Sequence, residues 1–112
     1  MRLIFTFYLL FISFLKADNQ PPLFLNIESS EDFYSGSELT IEVQITDKSD
    51  LSDAILYYRF SNQEDFSSLE MKNEISYFAT IPDLEVKPGK LEYYFFARDK
   101  FGNQSTWPAE AE

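Results

Sequence analysis

Chemistry in this chain has to be done without imidazole or thiol, because its 112 residues include no histidine and no cysteine. That excludes thiol nucleophiles, imidazole general bases, Ser-His-Asp triads, zinc sites built on Cys and His, and disulfides. Two carboxylate chemistries remain. Glycoside hydrolysis needs two acids about 5–9.5 Å apart across a sugar cleft. The acids Glu28, Glu31, Asp32, Glu64, Asp65, Glu70, Glu74, Asp83 and Glu85 fall instead in expected turns or on polar strand faces, where they hydrate the surface. Calcium takes about six to eight oxygens, and Asp47, Asp50 and Asp53 follow one another with Ser49 and Ser52. That stretch lacks the glycine and the bidentate Glu of an EF-hand, and Asp/Ser-rich loops are ordinary turn chemistry. A solvated loop is the preferred reading and calcium the alternative. The sequence predicts no catalytic residue and no cofactor.

Nine basic against 19 acidic residues give a formal charge of −10, which argues against nucleic acid and anionic membrane surfaces as partners. Aromatic residues at 18% argue against disorder. The N-terminus carries Arg2 and then an apolar run from Leu3 to Leu15, ending at Lys16-Ala17-Asp18. This is the pattern of a secretory signal peptide over residues 1–17, with Leu15 and Ala17 as the −3/−1 pair and Lys16 an unusual residue between them. As a helix the run would reach only about 20 Å of a ~30 Å hydrocarbon core, so no stable membrane insertion is expected after cleavage. No cysteine follows to carry a lipid. Cleavage removes Arg2 and Lys16 and leaves 95 residues with 7 basic and 19 acidic side chains, a charge of −12. The expected location is the periplasm, the cell surface or the extracellular space. An exported domain without cysteine suits a bacterial setting better than a small animal ectodomain.

The elements that must position any site read as strands. From Ser37 to Thr46, Leu39, Ile41, Val43 and Ile45 alternate with Thr40, Glu42, Gln44 and Thr46, the period of a half-buried strand. Further strands are predicted at Ala54–Phe60, Phe66–Met71, Ile75–Ile81 and Leu91–Arg98, with an edge strand over Leu23–Ile27 opened by Pro22. Turns are predicted at Tyr34–Ser37, Asp47–Asp53, Asn62–Asp65, Lys87–Lys90 and Asp99–Asn103. No stretch keeps a helical period. About seven short strands without a βαβ rhythm predict an all-β antiparallel sandwich over residues 18–108, with 109–112 a tail or the start of a linker.

Three stretches carry a family likeness: Leu56-Tyr57-Tyr58-Arg59, then Tyr77 through Pro82, then Gly89 through Asp99 closing on Gly102-Asn103. Their order resembles the Ig-like, fibronectin type III-like modules of bacterial secreted and surface proteins, over roughly Leu23 to Pro108. The likeness implies a tyrosine corner at Tyr93 and therefore a structural role for it. With no Trp in the third strand and no Cys pair, the chain departs from antibody-type Ig domains. The resemblance implies a spacer, adhesion or docking module and no chemistry.

Charges fix the phase of two strands. If Glu92 and Arg98 face water, so do Tyr94 and Phe96; if Arg59 does, so do Ile55 and Tyr57. In such a sandwich these strands are neighbours, so Tyr57, Arg59, Tyr94, Phe96 and Arg98 are predicted to share one face, with the arginines stacked on the aromatics. Tyr and Arg are enriched at protein interfaces, and a neighbouring domain or partner protein is the expected occupant. A glycan stacked on the rings is the alternative, and strand addition along Leu23–Ile27 a third.

Overall fold

The computed structural model describes residues 19–29 and 33–109, so the expected signal peptide at 1–17 and most of the expected tail lie outside the described residues. Among the described residues there are eight strands: β1 (Leu23–Ser29), β2 (Leu39–Thr46), β3 (Leu51–Phe60), β4 (Ser67–Glu70), β5 (Lys72–Asn73), β6 (Tyr77–Ile81), β7 (Leu91–Asp99) and β8 (Gln104–Trp107). They form two antiparallel four-stranded sheets, ordered β1-β2-β6-β5 and β4-β3-β7-β8. The arrangement is all-β and sandwich-like.

The core lies between the sheets and is built from one phase of each long strand. Ile41 and Val43 of β2, Leu56 and Phe60 of β3, Ile81 of β6 and Phe95 of β7 are fully or almost fully buried. Val86 joins them from the segment after a 3-10 turn at Asp83–Glu85. Phe24 of β1 stacks on Phe95 of β7 at 5.7 Å, tying one sheet to the other. Burying such side chains contributes roughly 1.5–3 kcal/mol each, which is how the domain stands without disulfides.

The structure corrects the sequence reading at four places. β3 begins at Leu51, so Asp53 belongs to a strand and not to the loop expected over Asp47–Asp53; a register shift between Leu51 and Asp53 absorbs the change. Residues 75 and 76 lie in a bend before β6, not in a strand, and Ile75 projects into solvent. Two strands are present where the sequence predicts none: β5 pairs Lys72 with Phe78 and Asn73 with Tyr77, and β8 pairs Trp107 with Phe95 and Ser105 with Ala97, which makes Trp107 part of the sheet.

The turn before β7 holds a tight fit. Gly89 has φ +106°, and a Cβ there would come within 2.8 Å of Ser61 Oγ. That hydroxyl accepts the Lys90 amide at 2.7 Å, so it is not free to move aside. Gly89→Ala is expected to cost about 1–3 kcal/mol through backbone strain and lost contact, lowering the thermal midpoint by roughly 5–15 °C.

Tyr58 points into the core and donates its hydroxyl hydrogen bond to the Glu85 carboxylate. Burial, and then the Glu85 hydrogen bond and charge, push its phenol from near 10 up to about 12. Burial and the Asp50 charge raise Tyr77 as well. The folded state thus holds the Tyr58 proton more tightly than the unfolded chain. Its contribution is complete below pH 10 and is lost as pH rises from 10 through 12, amounting to about 2–3 kcal/mol. Urea midpoints measured at pH 8 to 12 should fall over that window, and Tyr58→Phe should flatten much of the fall.

Candidate interaction face

The outward side of β3 and β7 is built from the residues between the core positions. Where Leu56, Tyr58 and Phe60 point in, Ile55, Tyr57 and Arg59 point out; where Phe95, Ala97 and Asp99 point in, Glu92, Tyr94, Phe96 and Arg98 point out. All five residues singled out in the sequence, Tyr57, Arg59, Tyr94, Phe96 and Arg98, therefore lie on one face. Pairing of β3 with β7 sets them in rows: Asp53 opposite Arg98, Ile55 opposite Phe96, Tyr57 opposite Tyr94, and Arg59 opposite Glu92.

The two middle rows are apolar. Tyr57 and Tyr94 stack at 4.8 Å with their planes 14° apart. The two outer rows are ion pairs, Arg59 Nε to Glu92 Oε1 at 2.6 Å and Arg98 Nε to Asp53 Oδ2 at 3.4 Å. Their side chains remain 32–54% exposed, so each pair contributes at most about 1 kcal/mol to stability. Their larger effect is to fence an apolar centre with fixed charges. The outer face of β2 is different in kind, with Thr40, Glu42, Gln44 and Thr46 all exposed and polar.

Of the expected arginine–aromatic contacts, that of Arg98 with Phe96 is present, while Arg59 stacks on a ring outside the expected set. Arg59 Cζ lies 4.2 Å from the Phe66 ring centroid, and its Nη1 donates to the Glu64 carbonyl at 2.8 Å. Phe66 in turn meets Tyr94 edge-on at 5.1 Å. Arg98 lies 5.7 Å from the Phe96 centroid. Phe66 and Asp53 are thus members of the face that the sequence reading leaves out. Glu92 has the outward phase that its strand's alternation gives, and the register of β3 on β7 sets its pairing with Arg59.

At the edge of this face an open cleft of about 500 Å³ is lined by Arg59, Phe66, Leu91, Tyr93, Tyr94 and Trp107, among others. Tyr93 is half-buried and packs edge-on against Phe95 at 5.6 Å and near Trp107 at 6.3 Å. The alternative calcium reading loses its geometry. Asp47 accepts the Ser49 amide and hydroxyl, both at 2.9 Å, while Asp53 is held by Arg98. Among the described residues no three acids gather into a group able to hold a metal. Among them, too, no helix is long and apolar enough to cross a membrane. No protein-family model matches this chain, and no curated protein matches it in sequence.

Proposed function

We propose that this chain is a non-catalytic Ig-like module of an exported or cell-surface protein, and that the β3–β7 face docks a partner protein. The sheet orders support the Ig-like part. Lettering the strands A, B, C, C′, D, E, F and G in chain order gives A-B-E-D on one sheet and C′-C-F-G on the other, the division expected of that fold. The N-terminal apolar run supports export. The docking role is carried by one observation: a strip of stacked aromatics lies on an outer sheet face and is bounded at both ends by ion pairs. Hot spots of protein interfaces have that composition, a Tyr- and Arg-rich centre with a polar rim.

The test is retention of surface and secreted proteins on the immobilised exported chain, beside a Tyr94→Ser/Phe96→Ser variant. Cross-strand aromatic pairs contribute roughly 0.2–1 kcal/mol each, so the variant should stay folded. A protein retained by the native chain and lost by the folded variant is the expected result; equal retention by both would overturn the docking role.

The aromatic cleft favours a second reading, a sugar stacked against its rings. Trp107, the sole tryptophan, lines that cleft and reports on it directly. Quenching or shift of its fluorescence by soluble polysaccharides would support the glycan reading, and an unmoved spectrum at millimolar sugar would remove it.

A further inference from the structure

We infer that the β3–β7 face binds a second copy of this chain, forming a symmetric dimer. This rests on the docking reading above and names its partner.

The argument begins with the order of the outward residues. From N to C terminus, β3 presents Asp53, Ile55, Tyr57 and Arg59, and β7 presents Glu92, Tyr94, Phe96 and Arg98. Both strands run acid, apolar, apolar, arginine. Because they are antiparallel, with Asp53 opposite Arg98 and Arg59 opposite Glu92, the four charges alternate in sign around the corners of the patch. The aromatic and aliphatic rows fill the middle.

Such a patch is its own electrostatic complement. If two copies meet face to face with the dimer axis along the strands, Asp53 of one copy faces Arg98 of the other, and Arg59 faces Glu92. With the axis across the strands, Asp53 faces Arg59 and Arg98 faces Glu92. Opposite charges meet at every corner in both cases. Only a diagonal axis sets like against like. The two favourable arrangements are also those in which the strands of the facing sheets run nearly aligned, the usual way sheets stack, with about 10 Å between them and an angle near 30°. A two-fold contact demands this kind of self-complementarity, since the same patch serves both sides.

Net charge sharpens the choice. At −10, or −12 without residues 1–17, two copies repel at long range, so self-association has to come from a local surface whose charges complement one another. The four corners of the β3–β7 patch supply two positive and two negative groups around an apolar centre, with a third acid, the exposed Glu70 of β4, flanking it opposite Ile55, whereas the outer face of β2 carries no positive group. A partner of one charge sign would be attracted at two corners and repelled at the other two. A second copy satisfies all four.

The experiment is sedimentation equilibrium of the exported chain over a range of concentrations. A monomer–dimer equilibrium with a dissociation constant on the order of 10 µM is expected for a contact limited to one sheet face. Arg59→Glu should weaken it at least tenfold in either geometry, and Phe96→Ser should weaken it without a change of charge; thermal melts check that both are folded. Mixing Arg59→Glu with Glu92→Arg should restore association if the axis runs along the strands, and mixing it with Asp53→Arg if the axis runs across them. The proposal is overturned by a native chain that stays monomeric at several hundred micromolar, by a dimer that Arg59→Glu leaves unchanged, or by failure of both mixtures. A monomeric chain whose retained partner is still lost on Tyr94→Ser/Phe96→Ser would overturn the dimer alone; a monomeric chain whose retained proteins are indifferent to that variant would overturn the docking role too.

Discussion

Phe95→Ala is expected to lower the free energy of unfolding by about 3–5 kcal/mol, the range for truncating a buried phenylalanine. Phe95 is wholly buried at the middle of β7 and lies opposite Leu56 of β3. Its ring stacks on Phe24 from the other sheet at 5.7 Å, meets Tyr93 edge-on at 5.6 Å and lies 5.9 Å from Trp107. Three rings therefore lose a neighbour at once, and strands of two sheets cannot close on the space independently. A domain of this size has a total stability of about 5–15 kcal/mol, so much of the margin would go. Urea unfolding followed by Trp107 fluorescence reads the change, because the reporter borders the cavity. Phe95→Leu, which refills most of the volume, should cost clearly less. A loss below about 1 kcal/mol for the alanine variant would mean that this ring cluster does not hold the sheets together.

The second large effect is expected at Asp99, the buried acid that ends β7. Its carboxylate oxygens are aimed back at the turn that follows. Oδ1 accepts the amides of Phe101 and Asn103, each at 2.9 Å, and Oδ2 accepts Asn103 Nδ2 at 2.9 Å. The side chain is 1% exposed, so these bonds replace water almost completely. Asp99→Ala leaves the two amides without that acceptor in a site closed to solvent, at an expected cost of about 2–4 kcal/mol. Asp99→Asn keeps one oxygen acceptor and should fall between the two. Amide exchange at Phe101 and Asn103 separates this account from a general loss of packing: those two protons should exchange faster than the β3 and β7 core amides. Uniform acceleration would show that the carboxylate acts on the whole domain and not on the turn.

What could be read from the sequence divides by physical cause. The phases of β2, β3 and β7 were legible because each long strand alternates and because Glu92, Arg98 and Arg59 mark the wet side. The five-residue face followed from those phases. β8 was not legible: three of its four residues, Gln104, Ser105 and Thr106, are polar. Ser105 can face inward only because its hydroxyl donates to the Pro22 carbonyl at 2.6 Å, a bond made by a residue 83 positions away. The same limit hid the partners of the arginines. Arg59 meets Glu92 and Phe66, and Arg98 meets Asp53, through strand register and loop path, which a single chain of letters does not state. The Asp47–Asp53 stretch misled for a related reason, since its polar composition resembles a loop while Leu51–Asp53 already pairs with β7.

One further consequence lies in how β3 divides its residues. Core and outer face are carried by alternate positions of the same strand, so the two can change independently by substitution: replacing Tyr57 does not touch Leu56. They cannot change independently by length. Deleting a single residue between Asp53 and Leu56 would exchange the two sets on one side of the deletion, sending an aromatic outer row inward and core leucine out to water. A lineage carrying this strand is free to retune its surface letter by letter, yet is held to a fixed count of residues along it.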